Sequence, residues 1–324
     1  MSFRDIFGHE KQIAHLQSSM VQNRTPHAFL FYGMAGIGKR TTATAFAKAL
    51  NCRANDRDAC DACDACRKAD HKNHLDIITL EAEGQYIKIQ TIRDLQERMK
   101  FKPWEGKKRV CIIDEADRMN DAAANALLKT LEEPPSANIL ILVTARPSQL
   151  PATILSRCRQ VRFNPPAEET VASFLQMRLS IDAQTARLLA ASSGGSIARA
   201  LEMQSGSYLS ARNELMDILT AGQMQDPLKR LSRLSSLGQD RDEALERLNI
   251  LRACYRDAMI YKETGEAGNL INQDRIEIIK SLAGRLSAKD IISNIKNVDR
   301  AVRAVEQYAD KTLTLEVMMF RLNW

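Results

Sequence analysis

The sequence is almost without proline over its second half. Eight of its nine prolines lie at or before Pro166, and the ninth is Pro227. Proline lacks an N–H and clashes with the preceding helical turn, so nothing after 227 interrupts a helix, and the C-terminal third is expected to be all-helical. Long apolar runs are missing too, and none approaches the roughly 20 residues of a membrane span. The opening MSFRDIFGHE is charged and polar, without the apolar stretch of a secretory signal. A membrane partner is not expected, and the expected location is the cytoplasm. No fixed-period repeat and no low-complexity segment is found.

What is present fits a soluble globular chain of 324 residues, 44% hydrophobic and 27% charged. That length suffices for two or three domains. The net charge of +6 is a mild hint of an acidic partner such as nucleic acid. Four of the seven cysteines fall between residues 52 and 66, and in a reducing cytosol such clustering points to metal before disulfide.

The N-terminal part alternates. The runs 28–32, 75–80, 109–113, 138–143 and 160–163 read as strands, and 41–50, 89–101 and 121–133 as helices. Alternation of this kind implies a parallel sheet covered on both faces, with ligands at the carboxyl ends of its strands. Pro165-Pro166 reads as a linker, 167–205 as a small helical unit, and the chain from 206 onward as helical. In 289–308, Ile292, Ile295, Val298, Val302 and Val305 are expected to form one buried stripe.

Residues 33–42, GMAGIGKRTT, nearly complete a phosphate-binding loop. Gly33, Gly36 and Gly38 would let backbone N–H groups face phosphate at a helix N-terminus, and Lys39 would reach the terminal phosphates. Arg40 stands where a Ser or Thr hydroxyl would ligate Mg²⁺. A guanidinium has no lone pair to offer, and Thr41 is turned away by about 100° along the helix. ATP or ADP binding can survive this change, whereas ordered Mg²⁺ is not expected. Asp114-Glu115 ends an apolar strand, as in a Walker B motif, where Asp114 would hold Mg²⁺ through water and Glu115 would polarise the attacking water. Thr144 ends the next strand at the same edge of the sheet.

Cys52, Cys60, Cys63 and Cys66 are spaced C-x7-C-x2-C-x2-C. Two-residue spacings let thiolates converge on a tetrahedral ion, so a structural Zn²⁺ is expected, with no open coordination position. An iron–sulfur cluster is the competing reading, but no fourth cysteine or proline follows in the ferredoxin pattern. His71 and His74 are read as loop residues, and Cys111 and Cys254 as core.

The block ANALLKTLEEPPSANILILVTARPSQLPATILSRC (124–158) resembles the centre of bacterial DNA polymerase III clamp-loader subunits. ALLKTLEEPP and the SRC motif at 156–158 are its most specific parts. The inserted cysteine module, the opening FRDIFGHE and the closing TLTLEVMMFRL are similar to the family as well, so the likeness spans essentially the whole chain.

The resemblance implies an AAA+ P-loop domain at 1–164 with a zinc module at 52–66, a helical lid at 165–205 and an all-helical oligomerisation collar at 206–324. Two departures, Arg40 and the displaced sensor arginine, bring the chain closer to the delta prime type than to the gamma/tau motors. In GSIARAL, Ala198 replaces the motor arginine and Arg199 follows it. The absence of a tau-like extension agrees. The family then implies delta and gamma/tau as partners in a hetero-pentamer, with the sliding clamp and primer-template DNA reached through the assembly. It also implies that Arg157 of SRC acts in trans on a neighbour's ATP site. The alternatives are an active gamma/tau-like ATPase motor, or another DNA-remodelling AAA+ ATPase. A zinc-containing DNA-binding protein is a third reading, invited by the basic stretch KFKPWEGKKR (100–109) with Trp104 as a stacking residue.

Overall fold

Five strands form one parallel sheet in the computed structural model, which describes residues 1–82, 84–220 and 237–324. The strands are β1 (Ala28–Tyr32), β2 (Ile77–Leu80), β3 (Arg109–Ile113), β4 (Asn138–Thr144) and β5 (Arg159–Arg162), in the order β2-β3-β4-β1-β5. The register sets Tyr32 beside Thr144 and Ile113 beside Leu142. The loop after β1, the acids after β3 and Thr144 therefore share one edge, as the alternation implied.

Side chains alternate across the sheet, and both faces are covered. Phe29, Phe31, Val110, Ile112, Ile139, Ile141 and Val161 pack with Phe46 and Leu16, which belong to α2 (Lys39–Asn51) and α1 (Glu10–Val21). Leu30, Cys111, Ile113, Leu140 and Leu142 pack with Leu95 and Leu127, from α4 (Ile89–Met99) and α5 (Asp121–Glu132). Burial on both faces is why the central strands β1, β3 and β4 read as largely apolar runs, whereas the edge strand β5 buries only Val161. Between α2 and β2 the chain makes the cysteine module, which includes α3 (Asp64–Asp70). α5 starts at Asn120, whose side chain accepts from the Ala123 N–H at 2.8 Å, and it stops before Pro134-Pro135.

β2 starts two residues later than the sequence suggested. Asp76 is buried and is used by side-chain hydrogen bonding. It accepts from the N–H groups of Trp104, Glu105 and Gly106 at 3.0, 2.8 and 2.9 Å, and Arg109 Nη2 reaches it at 2.9 Å. Burial alone would raise the Asp76 carboxyl, but these donors hold it below its ordinary range.

The chain divides into two compact units, Met1–Phe174 with Gly194–Ala198, and Leu175–Ser193 with Arg199–Trp324. In the first, Pro165 and Pro166 pack closely on Gly195 and Gly8. The second is helical wherever it is regular among the described residues. The stretch 221–236 of the expected collar, with Pro227, lies outside the described residues. Helix Arg241–Thr264 starts at Asp240, which accepts from the Glu243 N–H, and ends at Gly265 with φ 69°. Buried Asp257 accepts from both N–H groups of Ile271 and Asn272, and Arg212 grips Asp274 with both terminal nitrogens.

The stripe expected of the helix Ala288–Glu306 is corrected at Ile292. Ile292 is 42% exposed, and the buried face runs through Ile291, Asn294, Val298, Ala301, Val302 and Val305. A polar residue belongs to that face because its needs are met. Asn294 donates to the Asn323 carbonyl at 2.7 Å and accepts from the Asn323 N–H at 2.8 Å. Val298, Val302 and Val305 of the expected stripe lie on that face and Ile295 is half-buried, while the apolar reading passed over Ile291, Asn294 and Ala301.

Candidate functional site

The loop between β1 and α2 has the turn that its glycines allow. Gly33, Gly36 and Gly38 have φ of 149°, 74° and 101°, a region that other residues rarely adopt. A Cβ on Gly33 would lie 2.2 Å from the Phe163 carbonyl oxygen, and one on Gly36 2.2 Å from Ser196 Oγ. The Gly36 carbonyl accepts from the Ala198 N–H at 3.0 Å, so residue 198 meets the loop through its backbone. Arg199 lies in the second unit on the helix Ile197–Ser205, where it helps to pull down the Glu246 carboxyl that burial raises.

Lys39 is buried and folds back on the loop, donating to the carbonyls of Gly33 at 2.7 Å and Met34 at 2.6 Å. These oxygens occupy the donor positions that phosphate oxygens would take. Burial lowers the Lys39 pKa, and Asp114 and Asp117 work against that. His9, also buried, donates from Nε2 to the Ile37 carbonyl at 2.6 Å and steadies the loop from beneath.

Arg40 closes the other side. Its Nη1 donates to Asp114 Oδ2 at 3.2 Å, and its Nη2 pairs with Glu81. The guanidinium thus stands between the first turn of α2 and the acid at the end of β3, where the motif would seat a metal ion. Burial raises the Asp114 carboxyl above its ordinary range, while the Glu115 N–H and Arg40 pull it down. Thr41 is half-buried one residue along, and of these two it is Arg40 that reaches Asp114.

Glu115 has left-handed backbone, φ 47°, and its carboxylate accepts from Arg118 Nη1 at 2.5 Å. Thr144 Oγ1 donates to Asp117 at 2.5 Å and accepts from the Arg146 N–H at 2.9 Å. Arg157, after α6 (Ala152–Leu155), pairs with Glu132 at 2.8 Å and donates to the Thr153 carbonyl at 3.1 Å. The structure therefore gathers Lys39, Arg40 and Asp114 at one edge and engages Glu115, Thr144 and Arg157 with local partners.

Glu81, Asp117, Arg118 and Glu132 were not foreseen. Glu81 had a signal, since it follows the apolar end of β2 just as Asp114 follows β3. Seeing it required knowing that β2 lies next to β3.

The four cysteines converge, with their sulfurs all within 4.8 Å of one another. Cys60 Sγ and Cys66 Sγ are 3.9 Å apart. Four sulfurs about 2.3 Å from a tetrahedral ion stand roughly 3.8 Å apart, so the cluster fits a metal ion. The Cys60 N–H donates to Cys52 Sγ at 3.4 Å and the Cys63 N–H to Cys60 Sγ at 3.3 Å, and the N–H groups of Ala62 and Cys63 lower the Cys60 thiol below its ordinary range. The module is tied to α2 by buried Lys48, which meets Asp61 and Asp70. His74 is buried outside the cluster, its Nδ1 accepting from the Asp76 N–H at 3.2 Å, and His71 is exposed. Burial pushes the Cys111 and Cys254 thiols up to about 12, as for core residues.

A family model described as "DNA polymerase III, delta subunit" matches residues 8–167, and one described as "DNA polymerase III, delta subunit, C terminal" matches residues 207–323. The chain belongs to the DNA polymerase III clamp-loader family. It is 28% identical to the delta' subunit of Bacillus subtilis, over 95% of this chain and 94% of that one. Against the tau subunit of the same organism it is 26% identical, over 99% of this chain and 61% of that one. Against the tau/gamma subunit of Haemophilus influenzae it is 36% identical, over 54% of this chain and 25% of that one. The chain thus spans between a quarter and about three-fifths of the length of these tau-type relatives. Among the described residues no helix is long and apolar enough to cross a membrane.

Proposed function

We propose that this chain is a delta-prime-like subunit of the DNA polymerase III clamp loader, a cytoplasmic scaffold that helps load the sliding clamp onto primed DNA and hydrolyses little or no ATP itself. Its partners are delta and gamma/tau subunits in a hetero-pentamer, with the clamp and primer-template DNA engaged by the assembly. Residues 1–164 act as the AAA+ module, 165–205 as the lid and 206–324 as the collar. Arg157 serves the ATP site of a neighbouring subunit.

The observation that carries this reading is the Arg40 bridge to Asp114 and Glu81. A cation fixed on the chain already neutralises the carboxylate that a hydrolytic site reserves for Mg²⁺, and it repels a second one. The loop amides and Lys39 would still hold the phosphates of ATP or ADP, for which Lys39 exchanges its carbonyl partners. Glu115, paired to Arg118, is vestigial in this reading. A structural Zn²⁺ held by Cys52, Cys60, Cys63 and Cys66 would cross-link the module. Four thiolates leave it no open position and no catalytic part.

The alternative, an active gamma/tau-like motor, draws on the acids Asp114 and Glu115 standing after β3. Reconstitution tests both. The purified chain mixed with delta and gamma/tau is expected to give one defined pentamer, and alone to show no Mg²⁺-dependent turnover of ATP. Exclusion from the assembly would defeat the scaffold reading. Steady turnover by the isolated chain, lost in Lys39→Ala, would establish the motor.

A further inference from the structure

The end of the sheet opposite the phosphate loop carries a second concentration of chemistry. Residues 100–109, KFKPWEGKKR, hold five Lys or Arg and a single acid, and they lead into the start of β3. Trp104 is 77% exposed and Phe101 63%. Large aromatic side chains this exposed lose solvation free energy that burial would recover.

The backbone beneath them is nevertheless held firmly. The N–H groups of Trp104, Glu105 and Gly106 all donate to the buried Asp76. The Arg109 guanidinium, also buried, donates to the carbonyls of Phe101 at 2.8 Å and Lys102 at 3.0 Å. The one acid of the stretch is occupied, because Glu105 pairs with Lys68 and accepts from the Leu75 N–H at 3.0 Å. Lys102, exposed between the two aromatics, has no acidic partner among the described residues, and Lys100 meets only the exposed Glu97 of its own helix. Such exposed pairs are weak and yield easily to a polyanion.

We propose that Phe101 and Trp104, with Lys100 and Lys102, form a platform for single-stranded nucleic acid. Unpaired bases stack on the aromatic faces and the lysines neutralise the adjoining phosphates. The alternation Lys100-Phe101-Lys102-Pro103-Trp104 suits a chain of alternating base and phosphate. A protein partner fits less well, since lysine is depleted from the cores of protein interfaces. Because the contacts are stacking and charge, binding is tolerant of sequence. The platform uses neither the phosphate loop nor the cysteine cluster, so it stands independently of the function proposed above.

The test is fluorescence anisotropy of a labelled oligothymidylate with the full chain across a salt series. The native chain is expected to bind at low salt, and an unlabelled duplex of equal length to compete poorly. Trp104→Ala is expected to weaken binding roughly tenfold, the loss of about one stacked base, while Trp104→Phe keeps most of it. The pair Lys100→Gln with Lys102→Gln is expected to flatten the logarithmic salt dependence by about 1.4, the share of two phosphates on a single strand. Trp104 is exposed, so its variants keep the native melting temperature. No binding by the native chain at low salt overturns the proposal, as does unchanged affinity in Trp104→Ala or equal competition by duplex. If Trp104→Ala binds the oligonucleotide normally but no longer co-purifies with the other loader subunits, the face is a protein interface and the proposal fails.

Discussion

Arg157 and Glu132 form an ion pair at 2.8 Å that joins the SRC motif to the end of the ALLKTLEEPP helix. The two most family-specific segments of the sequence are thus in direct contact. The pair is exposed, Arg157 by 37% and Glu132 by 51%, so it is worth at most about 1 kcal/mol and costs little to open. An arginine parked in this way is free to be recruited by a stronger anion.

That weakness is compatible with the trans role proposed for Arg157. Arg157→Ala is expected to leave the fold and pentamer assembly intact while slowing the DNA-stimulated ATPase of the reconstituted loader. Arginine fingers are worth roughly 10³–10⁵ in rate in the best cases, and the loss is expected to be smaller here because other sites carry their own. Glu132→Gln, which only frees the arginine, is expected to leave the rate unchanged or raise it. If both variants load clamps at the native rate, Arg157 is only an intrachain partner.

Replacing the built-in cation is expected to restore metal dependence at the loop. Arg40→Thr frees Asp114 and supplies a hydroxyl, so ADP binding is expected to tighten several-fold on adding Mg²⁺, as read by calorimetry. In the native chain Mg²⁺ is expected to change it little. Hydrolysis is not expected to follow, because Ala198 stands where the proposed likeness to the motor subunits would require an arginine. A native chain as metal-dependent as the variant would show that the guanidinium steps aside.

The cysteine cluster is expected to carry one zinc ion per chain by elemental analysis. Cys60→Ser is expected to lose it and to open residues 52–66 to proteolysis, while the sheet, whose core lies elsewhere, keeps its far-ultraviolet circular dichroism. Iron in place of zinc, or no metal in freshly purified protein, would remove the structural-zinc reading.

Asp76 gives a pH dependence with a definite sign. Its folded carboxyl lies below the ordinary value of 3.8, so its contribution is fully present above that value and fades as pH falls through the folded one. Removing one partner of a buried, hydrogen-bonded pair costs about 3–5 kcal/mol. Asp76→Asn is expected to lower stability near neutral pH by an amount in or somewhat below that range, and to flatten the loss of stability on acidification below about pH 4. Chemical unfolding at two pH values reads both effects. An unchanged acid limb would assign the sensitivity to other carboxylates.

Much of this was legible in the sequence because it rests on local signals. The central strands β1, β3 and β4 are largely apolar runs, and the four cysteines announce themselves by spacing. The Arg40–Asp114–Glu81 bridge was half-legible. Arg40 was visible as a departure from the motif, but its acids stand on two strands whose adjacency is a property of the folded sheet. Ile292 misled because periodicity counts apolar residues, and the buried face of that helix includes an asparagine satisfied by a chain segment 29 residues away. The Asp76–Arg109 pair was hidden for a similar reason, since a carboxylate at the head of an apolar run reads as a strand residue until its three backbone donors are seen.

β3 has the acid Asp114 after one end and Arg109, which anchors the 100–108 segment, at the other. Its five residues separate the two ends by roughly 13 Å, at about 3.3 Å per step, and the strand is buried throughout. Sites that far apart with no shared partner usually contribute additively to free energy. The double variant Lys39→Ala with Trp104→Ala is therefore expected to show the sum of its single effects on stability, with no coupling beyond a few tenths of a kcal/mol. The strand insulates one end of the molecule from changes at the other, so each surface is free to diverge in sequence without renegotiating the opposite one.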